Sequence, residues 1–329
     1  MSEITPNQDP QHPPDVLIAG AGIIGLSLAL ELHARGARVA VLERDTALAH
    51  ASTAAAGMLA ADDPHNPPAL LPLAQLSIAL YPSFLQRIEA LSGLTVPIQT
   101  ETTLQYSPNG SITTLAEQSL DPRQLAAALL AAVRATSIDL REHSPFGIAH
   151  ETSSKPSASP LILTTGAWSP VPVVPRKGQM LRIQLPVQLP EVYRSQDVYI
   201  VPRTLGPQAG TALIGATDED AGFDTATHPA TLAHLRALAA KLLPQLASEA
   251  DAPQLEVWAG LRPATPDSLP ILGRLGANKL LATGHYRNGI LLAPATAVIL
   301  ADLLESKSPT IDLTPFTPSR FSPPDLLIS

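Results

Sequence analysis

The sequence predicts an α/β fold in which a Rossmann-like parallel sheet is interleaved with a second, antiparallel sheet. Three features carry that expectation. The apolar run Val16-Leu17-Ile18-Ala19 leads into Gly20-Ala21-Gly22-Ile23-Ile24-Gly25, then into a helical pattern and a second apolar run. Residues 161–163 form another short apolar run, which ends in Thr164-Thr165-Gly166. Residues 178–185, 198–202 and 211–215 are short, alternating or β-branched, and bounded by Pro and Gly, as antiparallel strands are. The chain has 329 residues, beyond the roughly 250–300 at which a single core stops growing, so two domains are expected.

Residues 1–14 are polar and Pro-rich, with no basic stretch and no apolar run, and read as a disordered arm, not a signal peptide. The first strand, opened by Asp15, has the continuous apolar character of a buried parallel strand. The helix spans 23–35, with Leu26, Leu30 and Ala34 at helical spacing, and Gly36 stands where a C-cap glycine belongs. A second strand covers 38–42. Strand, glycine turn, helix and strand is the order that binds a dinucleotide. Gly20 allows the tight turn, Gly22 lets the backbone approach a pyrophosphate, Gly25 lets helix and sheet pack, and the helix N-terminus at Ile23 and Ile24 faces the phosphate charge. Glu43 closes the second strand about twenty residues on, where an acid accepts hydrogen bonds from ribose hydroxyls.

Arg44 follows, and then Ser52-Thr53-Ala54-Ala55-Ala56-Gly57-Met58, where a nicotinamide-dependent protein would continue into a helix. Small residues permit close approach of backbone to a bulky ligand; they equally suit the start of an alanine-rich helix. Residues 121–134 read as a helix with Asp121 as N-cap and Pro122 at its first position. The strand at 161–163 returns the chain to the parallel sheet, which sets Gly166 either near the pyrophosphate or simply at a strand end. Residues 231–246 are amphipathic and belong on the outer face of the antiparallel sheet. There is no internal repeat and no second glycine fingerprint, which argues against two dinucleotide sites.

Composition narrows the function. Hydrophobic residues make up 45% and charged residues 15% of the chain, as in a well-buried enzyme. The formal net charge is -8 and no Lys/Arg cluster occurs, so nucleic acid is not an expected partner. Without cysteine there are no disulfides, thiolate metal sites, cysteine nucleophiles or cysteinyl flavin links, and no metal is expected. The longest apolar run, 289–301, is too short to span a bilayer, so a soluble, cytoplasmic protein without a membrane partner is expected. Homo-oligomerisation stays open.

The C-terminal third is the most specific. Trp258-Ala259-Gly260-Leu261-Arg262-Pro263-Ala264-Thr265-Pro266-Asp267 is followed by Pro270-Ile271-Leu272-Gly273 and by Gly284-His285-Tyr286-Arg287-Asn288-Gly289-Ile290-Leu291-Leu292-Ala293-Pro294-Ala295-Thr296. These segments resemble the D-amino-acid oxidase family of FAD enzymes and, within it, the glycine oxidases of thiamine biosynthesis. Residues 54–59, Tyr199-Ile200-Val201-Pro202-Arg203 and Gly215-Ala216-Thr217 resemble the same family in the same order, so the likeness runs from Val16 to about Leu304. It implies a fold of the glutathione-reductase and D-amino-acid-oxidase type. The expected partition is an FAD-binding domain from 15–80, 121–175 and 260–329, and a substrate domain from 81–120 and 176–259.

The resemblance implies roles residue by residue. Arg262 matches the arginine that holds the substrate carboxylate bidentately, a task the guanidinium fork suits. Tyr199 matches the tyrosine that adds a hydroxyl to that carboxylate, and Arg287 an arginine at the substrate end of the flavin. To non-covalent FAD it assigns, besides the glycine turn, Glu43 and Arg44, the residues Ser52, Thr53, Ala56, Gly57, Met58, Phe146 and Gly166. It adds the segment His285, Tyr286, Arg287, Asn288, Gly289, Ile290 and Leu291, whose backbone would donate to the carbonyl edge of the ring. His50 and His285 are expected to be solvated or hydrogen-bonded histidines, neither a flavin attachment point nor a base. No general base is apparent.

The reaction implied is oxidative deamination of glycine or a similar small amino acid by hydride transfer, with O2 as acceptor and oxo acid, ammonia and hydrogen peroxide as products. Sarcosine or another N-methyl amino acid, a small D-amino acid, a dehydrogenase with another acceptor, and a flavin-binding protein without catalysis are the alternatives. Residues 106–120 look shortened relative to the family, 152–160 form a reduced Ser- and Pro-rich connection, and Asp197 stands where the glycine oxidase has a histidine. These departures bear on substrate choice and subunit contacts.

Overall fold

The computed structural model describes residues 13–146 and 159–321. The arm at 1–14 and the connection at 152–160 fall, all but the last two residues of each, outside the described residues.

The first sheet is built on β1 (Val16–Ala19), which lies between two parallel neighbours, β2 (Val39–Leu42) and β9 (Leu161–Leu163). β8 (Asp139–Arg141) extends it beyond β2; β16 (Lys279–Thr283) pairs in parallel with β9, and β15 (Ile271–Gly276) closes that edge antiparallel. The strand order reverses at β1, so the carboxyl ends of β1 and β9 frame the crevice where open α/β sheets bind ligands. Helix α1 (Ile23–Ala34) leaves that crevice at once and is buried on almost every face, and Gly36 takes φ +90° just past its end.

The second sheet has seven strands: β14 (Gln254–Ala264), β10 (Val174–Gln184), β13 (Thr211–Gly215), β12 (Tyr199–Arg203), β11 (Val192–Arg194), β5 (Thr103–Tyr106) and β6 (Ile112–Leu115). All neighbours are antiparallel except β11 and β5. Its two faces follow the period of two. Leu181, Ile183, Ile200 and Ile214 pack under helix α5 (Pro229–Leu242) through Leu232, Leu235 and Ala239, while Met180, Val201 and Leu213 point the other way, toward Ala56 and Met58. The helix expected at 231–246 therefore lies where the pattern puts it, but ends at Leu242; Pro244 starts a separate 3-10 turn. β14 runs across residue 260, so both sides of the expected partition there share one strand.

A small sheet of β3 (Met58–Leu59), β7 (Gln118–Leu120) and β4 (Ile98–Thr100) joins the two. The stretch at 106–120, which the sequence suggests is reduced, still supplies β6 and β7. Helix α2 (Ala51–Ala54) takes up the alanine-rich run, and the chain then turns at Gly57 into β3. Helix α4 (Pro122–Arg134) starts as expected, with the Asp121 carboxylate accepting from Arg123 N at 2.9 Å.

Helix α3 (Leu71–Ser92) is a 22-residue element that periodicity conceals, because Pro72 begins it and Pro82 interrupts it. Together with the turn before it, 68–92 has the length and a mean hydropathy, 1.3, sufficient to cross a membrane; Leu73, Ala74, Ser77, Tyr81 and Ile88 are buried against the rest of the fold. The last helix, α6 (Gly289–Leu304), is apolar all round and packs on both α1 and α3.

His285, three residues ahead of the Asn288 N-cap of α6, is 3% exposed, and its Nε2 lies 3.1 Å from Thr296 Oγ1. Burial pulls its pKa down from 6.5 to about 3, so it is neutral in the fold. The unfolded chain therefore binds a proton that the folded chain does not as pH falls below 6.5. Stability from this residue is fully present above pH 6.5 and is lost between there and about 3.

Two tests follow from these contacts. A Cβ on Gly25 would stand 1.9 Å from Gly20 O and 2.7 Å from Thr164 Oγ1, whereas one on Gly36 meets nothing within 4 Å. In urea unfolding, Gly25→Ala should cost about 2–4 kcal/mol and Gly36→Ala about 1 kcal/mol from its left-handed backbone alone; equal losses would refute the packing role of Gly25. Between pH 7 and pH 5 the parent should lose about 2 kcal/mol more than His285→Gln. Parallel pH dependences of the two proteins would show that His285 is not the proton-linked group.

Candidate functional site

One cavity of about 870 Å³ runs from Glu43 and Arg44, past the start of α1, to Tyr199 and Arg262 on the seven-stranded sheet. Small-molecule sites span roughly 300–1,000 Å³, so this one calls for a large ligand.

Its nucleotide end is made by the glycine turn. Gly20 takes φ +108°, and a Cβ there would lie 2.6 Å from Thr164 O, just past the end of β9. Gly22 and Ile24 line the cavity, and Ile23 N donates to Ser52 Oγ at 2.9 Å, which ties α2 to the start of α1. The buried Glu43 carboxylate accepts from Ala21 N at 2.7 Å and from Asp45 N at 3.0 Å. Each oxygen retains a lone pair, as a ribose acceptor requires. Arg44 lies over the Trp168 ring at 3.7 Å; His50 bonds Asp45 at 2.8 Å and packs 4.7 Å from the same ring. His50 is thus a half-exposed, hydrogen-bonded histidine. Phe146 and Gly166 line the wall; Gly166 has φ +55° and its carbonyl accepts from Thr283 Oγ1 at 2.9 Å.

The middle of the cavity is bounded by Ala56, Gly57 and Met58 on one side and by His285, Tyr286, Asn288, Gly289 and Ile290 on the other. Gly57 takes φ +90°, and a Cβ there would come within 2.1 Å of Leu120 O. Tyr286 also has positive φ, +46°, fixed by Tyr286 N donating to Pro263 O at 2.8 Å. This turn feeds the N-terminus of α6, where the first N–H groups have no helical partner and point a positive dipole end at the cavity.

At the remaining end Arg262 donates from Nη1 to Thr217 O at 2.9 Å, and its guanidinium lies over Gly178: a Cβ there would be 2.3 Å from Nη2. Tyr199 lies over Gly215 in the same way, 2.8 Å from its hydroxyl to a notional Cβ. Burial pushes the Tyr199 phenol up, against the pull of Arg262, so it stays protonated and can donate. Arg287 is turned toward Asp63, at 3.3 Å, and Asn66, at 3.4 Å. Asp63 also lies 3.5 Å from the buried Arg194, and although burial pushes its pKa up, Arg194 and Arg287 outweigh that and hold it below the usual carboxylate range. Asp218 accepts from Tyr286 Oη at 2.7 Å and Arg176 Nε at 3.0 Å, and Asp197 stands exposed on the cavity rim.

Of the residues expected to meet the cofactor, Gly25, Thr53 and Leu291 do not line the cavity. Gly25 acts by packing, Thr53 turns its hydroxyl to Leu48 O and His50 O, and Leu291 is buried in α6. Cavity residues absent from the sequence expectations include Trp168, Gly178, Met180 and the Asp63–Arg194 pair. A glycine inside a strand, as at 178, is a readable sign of close approach; the ion pair joins residues far apart in the chain and leaves no local sign.

The residues present fit FAD: a ribose-accepting acid, a helix N-terminus set behind bare glycines, and a second helix N-terminus further along one continuous cavity. Comparison agrees. The chain matches the DAO family, FAD dependent oxidoreductase, over residues 15–118 and 101–303. It is 37% identical to the bifunctional protein ThiO/ThiG of Trichormus variabilis over 93% of this chain and 55% of that one, so it spans about half the length of those relatives. It is 30% identical to glycine oxidase of Geobacillus kaustophilus, over 94% of this chain and 97% of the other. The crystal structure of glycine oxidase from Geobacillus kaustophilus superimposes with a TM-score of 0.86 at 28% identity, covering 95% of this chain and all of that one (100%). The chain belongs to the DAO family of FAD-dependent oxidoreductases.

Proposed function

We propose that the protein holds FAD non-covalently in this cavity and oxidises the carbon–nitrogen bond of glycine or a similarly small amino acid. The products are the oxo acid, ammonia and hydrogen peroxide, with dioxygen as final acceptor. The observation that carries this reading is Arg262 and Tyr199 side by side on the cavity wall, each over a glycine.

One guanidinium N–H is committed to Thr217 O, which fixes the plane of the fork and leaves other donors for a carboxylate. The protonated Tyr199 hydroxyl adds a further donor. An acid held there has its α-carbon placed by position alone, and position supplies much of the rate in such a site. When bound, FAD supplies the hydride acceptor. The amine must give up its ammonium proton first. His285 is too acidic as an imidazolium to take that proton at neutral pH, with a pKa of about 3. Asp218 is held below the ordinary range by Arg176 and Tyr286, although burial acts the other way. Loss of the proton to solvent therefore suffices. The likeness to proteins that join ThiO to ThiG supports a place in thiamine thiazole synthesis.

Anaerobic mixing with glycine should bleach the flavin absorbance, and sarcosine and D-alanine in the same panel rank the pocket's preference. Arg262→Ala should lower the rate per unit substrate several hundred-fold, about 3–4 kcal/mol for a lost charged, bidentate contact. Arg262→Lys should recover part of it. Bleaching of Arg262→Ala at the parent's rate would remove the assignment, and a flavin that no small amino acid bleaches would remove the activity.

A further inference from the structure

Helix α6 begins on the cavity wall at Gly289, yet it contains Pro294 in its second turn. Proline has no N–H, so the carbonyl four residues earlier, Ile290 O, has no helical partner. A buried carbonyl without one is costly. Tyr81 of α3 supplies it, its hydroxyl donating to Ile290 O at 2.5 Å. The next rung is tied to α3 as well. Ser77 Oγ donates to Leu291 O at 2.6 Å and accepts from Ala295 N at 3.2 Å, so one side chain bridges both backbone groups of that rung.

Two consecutive rungs of α6 are therefore tied to α3. The first turn, Gly289 to Leu291, takes its direction from two hydroxyls on another helix as well as from its own bond, Leu292 N to Asn288 O at 2.8 Å. Ser77 and Tyr81 are 0% and 2% exposed, and neither lines the cavity. The chain just before α3 fixes the residues just before α6 in the same way: Asn66 Oδ1 accepts from Asn288 Nδ2 at 3.0 Å, and Asp63 holds Arg287. One segment, 63–81, thus carries side-chain ties to both flanks of the turn that faces the cavity.

We propose that Ser77 and Tyr81 are positioning residues for the flavin, aiming the free N–H groups of Gly289 and Ile290 at the carbonyl edge of its ring. This rests on the reading above, in which that turn meets the isoalloxazine. A reduced flavin gathers negative charge at its N1 and C2 carbonyl edge, and aligned donors at a helix N-terminus favour that charge. The two hydroxyls consequently set how readily the flavin accepts electrons, while the carboxylate anchor on Arg262 is independent of them.

The test uses the flavin-loaded protein with Tyr81→Phe, Ser77→Ala and Ser77→Thr. The balance of oxidised and reduced flavin is measured against a redox dye of known potential, together with the visible absorption bands. Tyr81→Phe and Ser77→Ala should each shift the balance about 3- to 10-fold toward the oxidised form, the range of one hydrogen bond, and move the absorption bands. Ser77→Thr, which keeps the hydroxyl, should stay with the parent. In turnover, kcat should fall while KM for glycine changes less than twofold, the reverse of a loss at Arg262. Variants that melt earlier yet keep the parent's dye balance and spectrum would overturn the proposal, since the hydroxyls would then serve packing only. A shifted balance in a protein whose flavin no amino acid reduces would uphold it while refuting the amino-acid reaction; a parent that takes up no flavin would refute both.

Discussion

A guanidinium can lie flat on a β-sheet only where the sheet has no side chain beneath it. β10 and β14 meet that condition with a pair of glycines in register, Gly178 opposite Gly260. Gly178 leaves the space that the Arg262 fork occupies, and Gly260 leaves the space for Ala54 of α2, whose Cβ would lie 2.6 Å from a side chain there. Trp258 Nε1 closes the same contact by donating to Ala54 O at 3.1 Å. The nucleotide end obeys the same constraint, with Gly25 against Gly20 O and Gly20 against Thr164 O. Close approach of bare backbone, at both ends, is what makes one continuous cavity between two sheets.

Such a cavity gathers cations and must keep them neutralised, because an unpaired buried charge costs several kcal/mol. Arg203, 3% exposed, donates to Ala56 O at 2.8 Å, and burial draws its pKa down to about 10. Arg194 lies 3.0 Å from Glu117 and 3.5 Å from Asp63, with its Nε donating to Gln105 Oε1 at 2.6 Å. The two acids respond in opposite directions. Burial dominates at Glu117 and pushes it up despite Arg194; at Asp63 a second cation, Arg287, tips the balance down. Asp63 is shared between a buried arginine, Arg194, and one that reaches the cavity, Arg287. Arg262 holds the Thr217 carbonyl, lies beside Tyr199 and faces the cavity.

The two ends of the site were not equally legible from the residues. The nucleotide end is local: strand, turn, helix and acid lie within residues 16–43, so spacing alone implied their arrangement, and Gly20, Gly22, Ile23, Ile24 and Glu43 all stand on or beside the cavity. The substrate end is assembled from β10, β12, β13 and β14, and only the resemblance brought Arg262 and Tyr199 together in advance. Helix α3 escaped because its two prolines break the periodic signal, and β14 and β15 escaped because glycine or proline interrupts their apolar runs. Thr53 and Leu291 were assigned by adjacency to residues that do face the cavity, and one step along a helix turns a side chain about 100° away.

That asymmetry bears on how chemistry changes within such a scaffold. Residues that shape the rim, Asp197 and Asp218, sit outside the named strands and bond to neighbours through side chains or a single backbone group. Replacing them leaves the sheet registers untouched, so the charge at the mouth can vary while the cavity persists. Residues that direct the helix N-terminus of α6 have no such freedom. Pro294 removes an N–H that the Tyr81 hydroxyl compensates, and the rung at Leu291 is bridged by Ser77. A change at one of these positions is tolerated only with a change at the other helix. The mouth and the flavin-facing turn are thus under different physical constraints, one electrostatic and adjustable, the other a matter of keeping buried backbone groups satisfied.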